Sequence, residues 1–254
     1  MPFMPFSSAQ SGKTEEMTMQ DSPSSYYANQ PDPGGFVSRL ALRIRLKMFT
    51  TLMKAVGNDS GAKVLDVGVT NDRREESNFL EKLYPYRENI TAVGMEDASF
   101  LEREYPGVRY IRADGLHLPF GDGSFDLVTS FAVIEHVGSR DNQRKFVREL
   151  CRVGKTCLIT TPNRWYPVEV HTMMPLIHWL PPEIFRRLLS RLGREFYARE
   201  ENLNLLDAKS IREMFPVKMT IREHHHRLLG IVSNLFFLAR WQQAETAGVV
   251  ENDE

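Results

Sequence analysis

The sequence predicts an α/β domain, doubly wound around a mostly parallel sheet. Three observations carry that expectation. Short apolar runs of strand length, such as KVLDVGV and NITAVGM, recur along the first two thirds of the chain. Helix-length segments separate several of them, which requires crossover connections and therefore parallel pairing. The runs also end in Asp, Gly, Glu or Asn, at the places where an open parallel sheet meets its ligands.

Taken in order, residues 1–34 are rich in Ser, Pro and Gln without an apolar period. They are expected to be flexible, with Tyr26 and Tyr27 placed to fold over a site. GGFVSRLALRIRLKMFTTLMKAV then has helical apolar spacing, interleaved with Arg39, Arg43, Arg45, Lys47 and Lys54. KVLDVGV is a buried strand, ESNFLEKLYPY a short helix and NITAVGM a second strand. SFLEREY is helical and stops at Pro106-Gly107. VRYIRAD and SFDLVTSF are the third and fourth strands. RDNQRKFVRELCRV is amphipathic, with Phe146, Val147, Leu150, Cys151 and Val153 on one side, and KTCLITTP is the fifth strand.

Residues 164–210 break this rhythm. They are aromatic, Pro-punctuated and Arg-bearing, and too long for a plain connection, so a lid or substrate-side insertion is expected. Met174, Leu176, Trp179 and Leu180 suit either an apolar pocket or ordinary packing. KMTIREHHHRLL and IVSNLFFLAR are two more strands, expected to pair as a closing antiparallel edge. The folded domain is thus expected to span 35–241, and the acidic tail 242–254 is expected to be loose.

The chain's 254 residues suffice for one good-sized core. A net charge of −1 supplies no field to recruit nucleic acid. Cys151 and Cys157 lack metal-site spacing and are expected to be reduced and buried. No stretch is long enough to span a membrane, and a cytoplasmic location is the default expectation. The basic amphipathic segments leave room for peripheral contact with a membrane or a lipid-linked substrate.

The strand ends form a coherent set. Gly68, after Asp66 and Val67, lets backbone approach a ligand closely. Glu96, with Asp97 behind it, can accept bonds from two ribose hydroxyls. Asp114 can accept from an exocyclic amine, with the Gly115 backbone beside it. A ligand with carboxylate, ribose and adenine fits these stations, and S-adenosylmethionine is such a ligand.

On these residues the sequence resembles a known family. VLDVG, ITAVGMED, RADGLHLPFGDGSFDLVTSFAVIEHV and RELCRVGKTCLITTPN are similar to class I S-adenosylmethionine-dependent methyltransferases, above all to the type 11 subgroup. The resemblance covers residues 62–163 and implies a Rossmann-like, seven-stranded sheet with an antiparallel last strand. It implies S-adenosylmethionine as cofactor and a small-molecule acceptor; a hydroxyl is the expected target, on a secondary metabolite or on a glycan or lipid-linked precursor, with nitrogen and carbon left open. It assigns Asp66 and Gly68 to the first cofactor loop, Asp114 to the adenine, and Glu135 and His136 to the face where acceptor meets methyl group.

Three departures matter. The family's ribose acid usually stands where this chain has Gly94, and Glu96, two residues later on the same strand face, is expected to reach the ribose instead. The family's first loop reads D-x-G-x-G-x-G, whereas here Thr70 and Asp72 replace the later glycines. Thr70, Asn71 and Asp72 can offer side-chain groups instead, and at least one is expected at the methionine end of the cofactor. The thinned glycines also motivate an alternative, a catalytically silent protein that kept the fold as a binding or regulatory module. A related subgroup that methylates quinone rings holds a metal with E-x-x-E-H. Ala132 stands in the first acidic place here, so no metal is expected. For the proton of the acceptor there are two candidates: His136 beside Glu135, and His171 with Glu169 in WYPVEVHT. Oligomeric state is not legible.

Overall fold

The computed structural model describes residues 35–242 apart from Asn58. The segment 1–34, with Tyr26 and Tyr27, and all but the first residue of the acidic tail lie outside the described residues. Eight strands form one sheet: β1 (Val64–Val67), β2 (Ile90–Gly94), β3 (Arg109–Arg112), β4 (Phe125–Phe131), β5 (Gly154–Pro162), β6 (Met219–Glu223), β7 (His226–Leu228) and β8 (Ile231–Trp241). Their order is β3-β2-β1-β4-β5-β8-β6, with β7 also on β8. The first five are parallel, and β8 runs antiparallel to β5 and β6.

One detail differs from the sequence expectation. The sixth of seven expected strands is split, because the pairing with β8 breaks at His224-His225 and the register shifts at His226/Arg227. As expected, β6 and β8 pair antiparallel and close the sheet; β6 forms the edge, and inside it lies the last strand, β8. The turn into it, Leu229-Gly230, has both φ values positive. That is the twist a two-residue hairpin turn needs.

The central strands are buried on both faces, and alternate side chains serve different layers. Leu65, Val128, Ile159 and Phe237 join one core cluster, with Phe146, Leu150 and Cys151 of α4 (Arg140–Val153). Val64, Leu127, Leu158 and Phe236 join the other. There they meet Met48 and Leu52 of α1 (Phe36–Val56), Leu80 of α2 (Phe79–Leu83) and Leu101 of α3 (Phe100–Glu104). This explains the unbroken apolar runs: a strand covered on both sides has no face to leave polar. α4 starts where Ser139 accepts from the Asn142 amide, and its apolar stripe is fully buried. Each large side chain of that stripe contributes about 1.5–3 kcal/mol. Cys151 and Cys157 are free and buried.

After β5 the chain builds a third, small core of Phe185, Leu189, Tyr197, Leu203 and Leu205. It holds α5 (Pro182–Arg191) and α6 (Glu195–Ala198), and Pro182 opens α5 at a position where its missing N–H costs nothing. α7 (Ala208–Arg212) follows, capped by Asp207. The expected insertion is therefore a packed subdomain. Met174 packs against its core, whereas Leu176, Trp179 and Leu180 are exposed.

Candidate active site

Strand order reverses between β1 and β4, which makes their carboxyl ends the switch point. The loops leaving these strands touch. Gly68 has φ +106, and a Cβ there would lie 2.1 Å from Val133 Cγ2. The amides of Gly68 and Val69 both donate to Val93 O. A Cβ on Gly94 would lie 2.4 Å from Val69 O. Two glycines thus let the first loop close on both neighbours.

The rest of that loop is tied by side chains. Asn78, itself at φ +47, accepts from the Thr70 amide at 3.0 Å and donates to the carbonyls of Thr70 and Asp72. Thr70 Oγ1 accepts from the Asp72 amide, and Asp72 Oδ2 accepts from Ser77 Oγ at 2.6 Å. Hydroxyl, amide and carboxylate groups replace the missing glycines by holding the loop to itself.

Asp66 is only 6% exposed. Its Oδ1 accepts from Thr129 Oγ1 at 2.7 Å, and it faces the fully buried Glu81 of α2. Burial pushes Asp66 up to about 6 and Glu81 well above the usual carboxylate range, so Glu81 keeps the proton that the pair shares. Arg45 of α1 lies close enough to favour the Asp66 anion. Neither Glu81 nor Arg45 stood out in the sequence as part of a site. Their helices have to fold onto the sheet before the side chains meet Asp66.

At the second strand end, Glu96 accepts from the Asn71 amide, and burial raises its pKa. Its Oε2 is buried without a hydrogen-bond partner. Tyr110 donates its hydroxyl to the Glu96 carbonyl and pins the backbone. Asp97 is exposed and caps the Ser99 amide. Asp114 Oδ1 accepts from the Leu116 amide at 2.8 Å, while its side chain remains 44% exposed. Gly115 is required because a Cβ would lie 2.6 Å from the Phe146 ring.

The two candidate proton acceptors, 35 residues apart, meet. Glu135, in the turn after β4, is fully buried and its Oε2 accepts from Thr161 Oγ1 at the end of β5. Its Oε1 has no hydrogen-bond partner and stands 4.0 Å from His136 Nε2. His136 Nδ1 lies 2.7 Å from Asn202 O. A carbonyl only accepts, so Nδ1 carries the proton and Nε2 the lone pair. Across from it, Glu169 accepts from His171 Nδ1 at 2.7 Å and from the amides of His171 and Thr172. These bonds hold the Glu169 carboxyl down at about 2 against the cost of burial, and the carboxylate raises His171. Burial pushes His136 down to about 3. The two imidazoles are perpendicular, with centroids 4.8 Å apart. One ligating atom each of Glu135, His136 and His171 lies within 4.8 Å of the others.

The sheet is the Rossmann-like one that the sequence resemblance implies. Residues 65–156 match the family model described as "Methyltransferase domain". Over 49 residues it is 47% identical to the Encephalitozoon cuniculi (strain GB-M1) protein ECU09_1500, whose name calls it a candidate methyltransferase. That match covers 19% of this chain and 23% of the relative, so the chain aligns with about a quarter of that protein. Among solved structures, the fold is similar to magnesium protoporphyrin IX methyltransferase from Synechocystis PCC 6803 with bound SAH. The TM-score is 0.54 at 13% identity, covering 85% of this chain and 92% of that one. The PH0226 protein from Pyrococcus horikoshii OT3 gives a TM-score of 0.52 at 16% identity, covering 79% and 91%.

The magnesium protoporphyrin IX methyltransferase that shares this fold is described with SAH bound. The unsatisfied Glu96 Oε2 fits that ligand, since a buried carboxylate oxygen lacks a donor where ribose hydroxyls would supply one.

Proposed function

We propose that this protein transfers a methyl group from S-adenosylmethionine to a hydroxyl of a small-molecule acceptor. When bound, the cofactor supplies a methyl group activated on a positively charged sulfur. In this chain Glu96 would hold the ribose and Asp114 the adenine amine, and the backbone from Val67 to Asn71 would receive the amino-acid end. Asp66 supports that loop from below through Thr129, rather than presenting its carboxylate outward. The Glu135–His136–His171 cluster would receive the acceptor.

The observation that carries the reading is the joining of His171, backed by Glu169, to His136 and Glu135 at the carboxyl ends of β4 and β5. A buried set of nitrogens and a carboxylate oxygen beside the cofactor stations suits an acceptor that must be oriented and lose a proton. Positioning would supply much of the acceleration, because methyl transfer needs in-line approach of the oxygen to the methyl carbon.

Calorimetry with S-adenosylmethionine tests the first half. Turnover against a panel of hydroxyl, amine and carbon acceptors, read as release of S-adenosylhomocysteine, tests the second. Micromolar binding with transfer to a hydroxyl is expected. No cofactor binding sinks the reading. Tight binding without turnover on any acceptor favours the catalytically silent alternative, for which the internally tied 70–78 loop is the supporting observation.

A further inference from the structure

We infer that Glu135, His136 and His171 form a binding site for one first-row divalent cation, such as Mn²⁺, Co²⁺ or Zn²⁺. The inference rests on the proposed function only in placing the acceptor beside the site.

Three facts assemble the site. The ligating atoms lie within 4.8 Å of one another, close enough for small side-chain adjustments to bring all three onto one ion. Each histidine has its Nδ1 committed to an oxygen, His136 to the Asn202 carbonyl and His171 to the Glu169 carboxylate. That arrangement fixes ring orientation and directs Nε2 as the donor, as outer-shell partners do for metal-bound histidines. Third, Glu135 is fully buried with one oxygen bonded to Thr161 and the other unsatisfied, aimed into the cluster. A buried carboxylate oxygen without a donor is costly unless something positive meets it.

Two imidazole nitrogens and one carboxylate oxygen select a borderline first-row ion over Mg²⁺ or Ca²⁺, which prefer all-oxygen sets. Three protein ligands leave coordination positions open. An acceptor with a hydroxyl beside a second oxygen could fill them, which narrows the acceptor class to chelating hydroxyl compounds. Ala132 removes the acidic ligand that the quinone-methylating pattern would place in the same turn. Here the third ligand is contributed by the insertion.

The test is titration of the full chain, stripped with a chelator, by Co²⁺ with visible absorption, and by Zn²⁺ with calorimetry. One ion per chain is expected, unaffected by millimolar Mg²⁺. His171→Gln and Glu135→Gln should each weaken binding by tenfold or more. Glu169→Gln, which keeps all three ligands but alters the outer contact, should weaken it about tenfold. The double variant His224→Asn/His226→Asn should bind as the wild type does, which excludes the surface histidine run. Circular dichroism of each variant shows that it is folded. Absence of saturable binding, or binding that survives His171→Gln and is lost in the His224/His226 variant, overturns the proposal. S-adenosylmethionine calorimetry on the same stripped protein separates the two readings. Cofactor binding without cation binding sinks the cation site alone, and loss of cofactor binding sinks the methyltransferase reading.

Discussion

Glu96 and Asp97 are adjacent carboxylates with opposite employment. Asp97 caps the Ser99 amide, whereas Glu96 keeps one buried oxygen unsatisfied. Glu96→Gln is therefore expected to raise the dissociation constant for S-adenosylmethionine about tenfold, the scale of a lost hydrogen bond to a charged group, and Asp97→Asn to leave it within twofold. Calorimetry on the two variants checks this, and equal effects would refute the assignment of the ribose acid. Asp66 yields a prediction about pH. Its pKa is about 6 in the folded chain against an ordinary 3.8. The folded state holds this proton longer than the unfolded one, so the contribution is fully present below pH 3.8 and lost as pH rises to about 6. Asp66→Asn should flatten that decline, worth about 3 kcal/mol. Thermal melts of both proteins at pH 4, 5, 6 and 7 would show it, and parallel curves would reject it.

At the scale of elements, the 70–78 loop shows how a fold replaces a glycine-rich turn. One asparagine brackets Thr70 as a partner strand would, and a serine holds the aspartate. Asn78→Ala should cost about 2–3 kcal/mol, because it loses three hydrogen bonds and keeps a left-handed backbone. Asn78→Gly relieves the backbone but not the bonds, and should cost less. Urea unfolding ranks the two, and a glycine variant as stable as wild type would show that the amide contributes nothing. The sequence marked this loop as departing from the glycine-rich pattern, but not Asn78. The polar side chains near Thr70 looked available to a ligand, and only the folded loop shows them bonded to each other. Spacing marks α4 to the residue and α1 to within two residues at its start, whereas ESNFLEKLYPY runs past α2 at both ends. Residues 72–78 carry helix-compatible side chains but are held in turns by the Asn78 and Ser77 bonds.

Across the whole molecule, the sheet holds two large cores and the insertion holds its own small one. Few apolar side chains tie α5 and α6 to the sheet, so they should open first. Hydrogen exchange is expected to reach the amides of 182–198 well before those of β4 and β5, and simultaneous exchange would show one cooperative unit. The same insertion supplies His171 and, through residues 199–206, the Asn202 carbonyl that orients His136. No helix among the described residues is long and apolar enough to cross a membrane.

The sequence by itself determined the doubly wound sheet, the order of strands and helices through β5, and the places where acids stand at strand ends. These follow from local pattern: apolar runs, helical spacing and acids placed where strands stop. It also named both histidines, but as rivals. Only the tertiary structure made them neighbours, because the insertion folds back over the turn after β4 and no local pattern encodes that return. It likewise turned Asp66 inward to Thr129 and Glu81, and split the sixth strand. Those outcomes depend on which elements pack together, and the free energy that selects them comes from contacts between residues far apart in the chain.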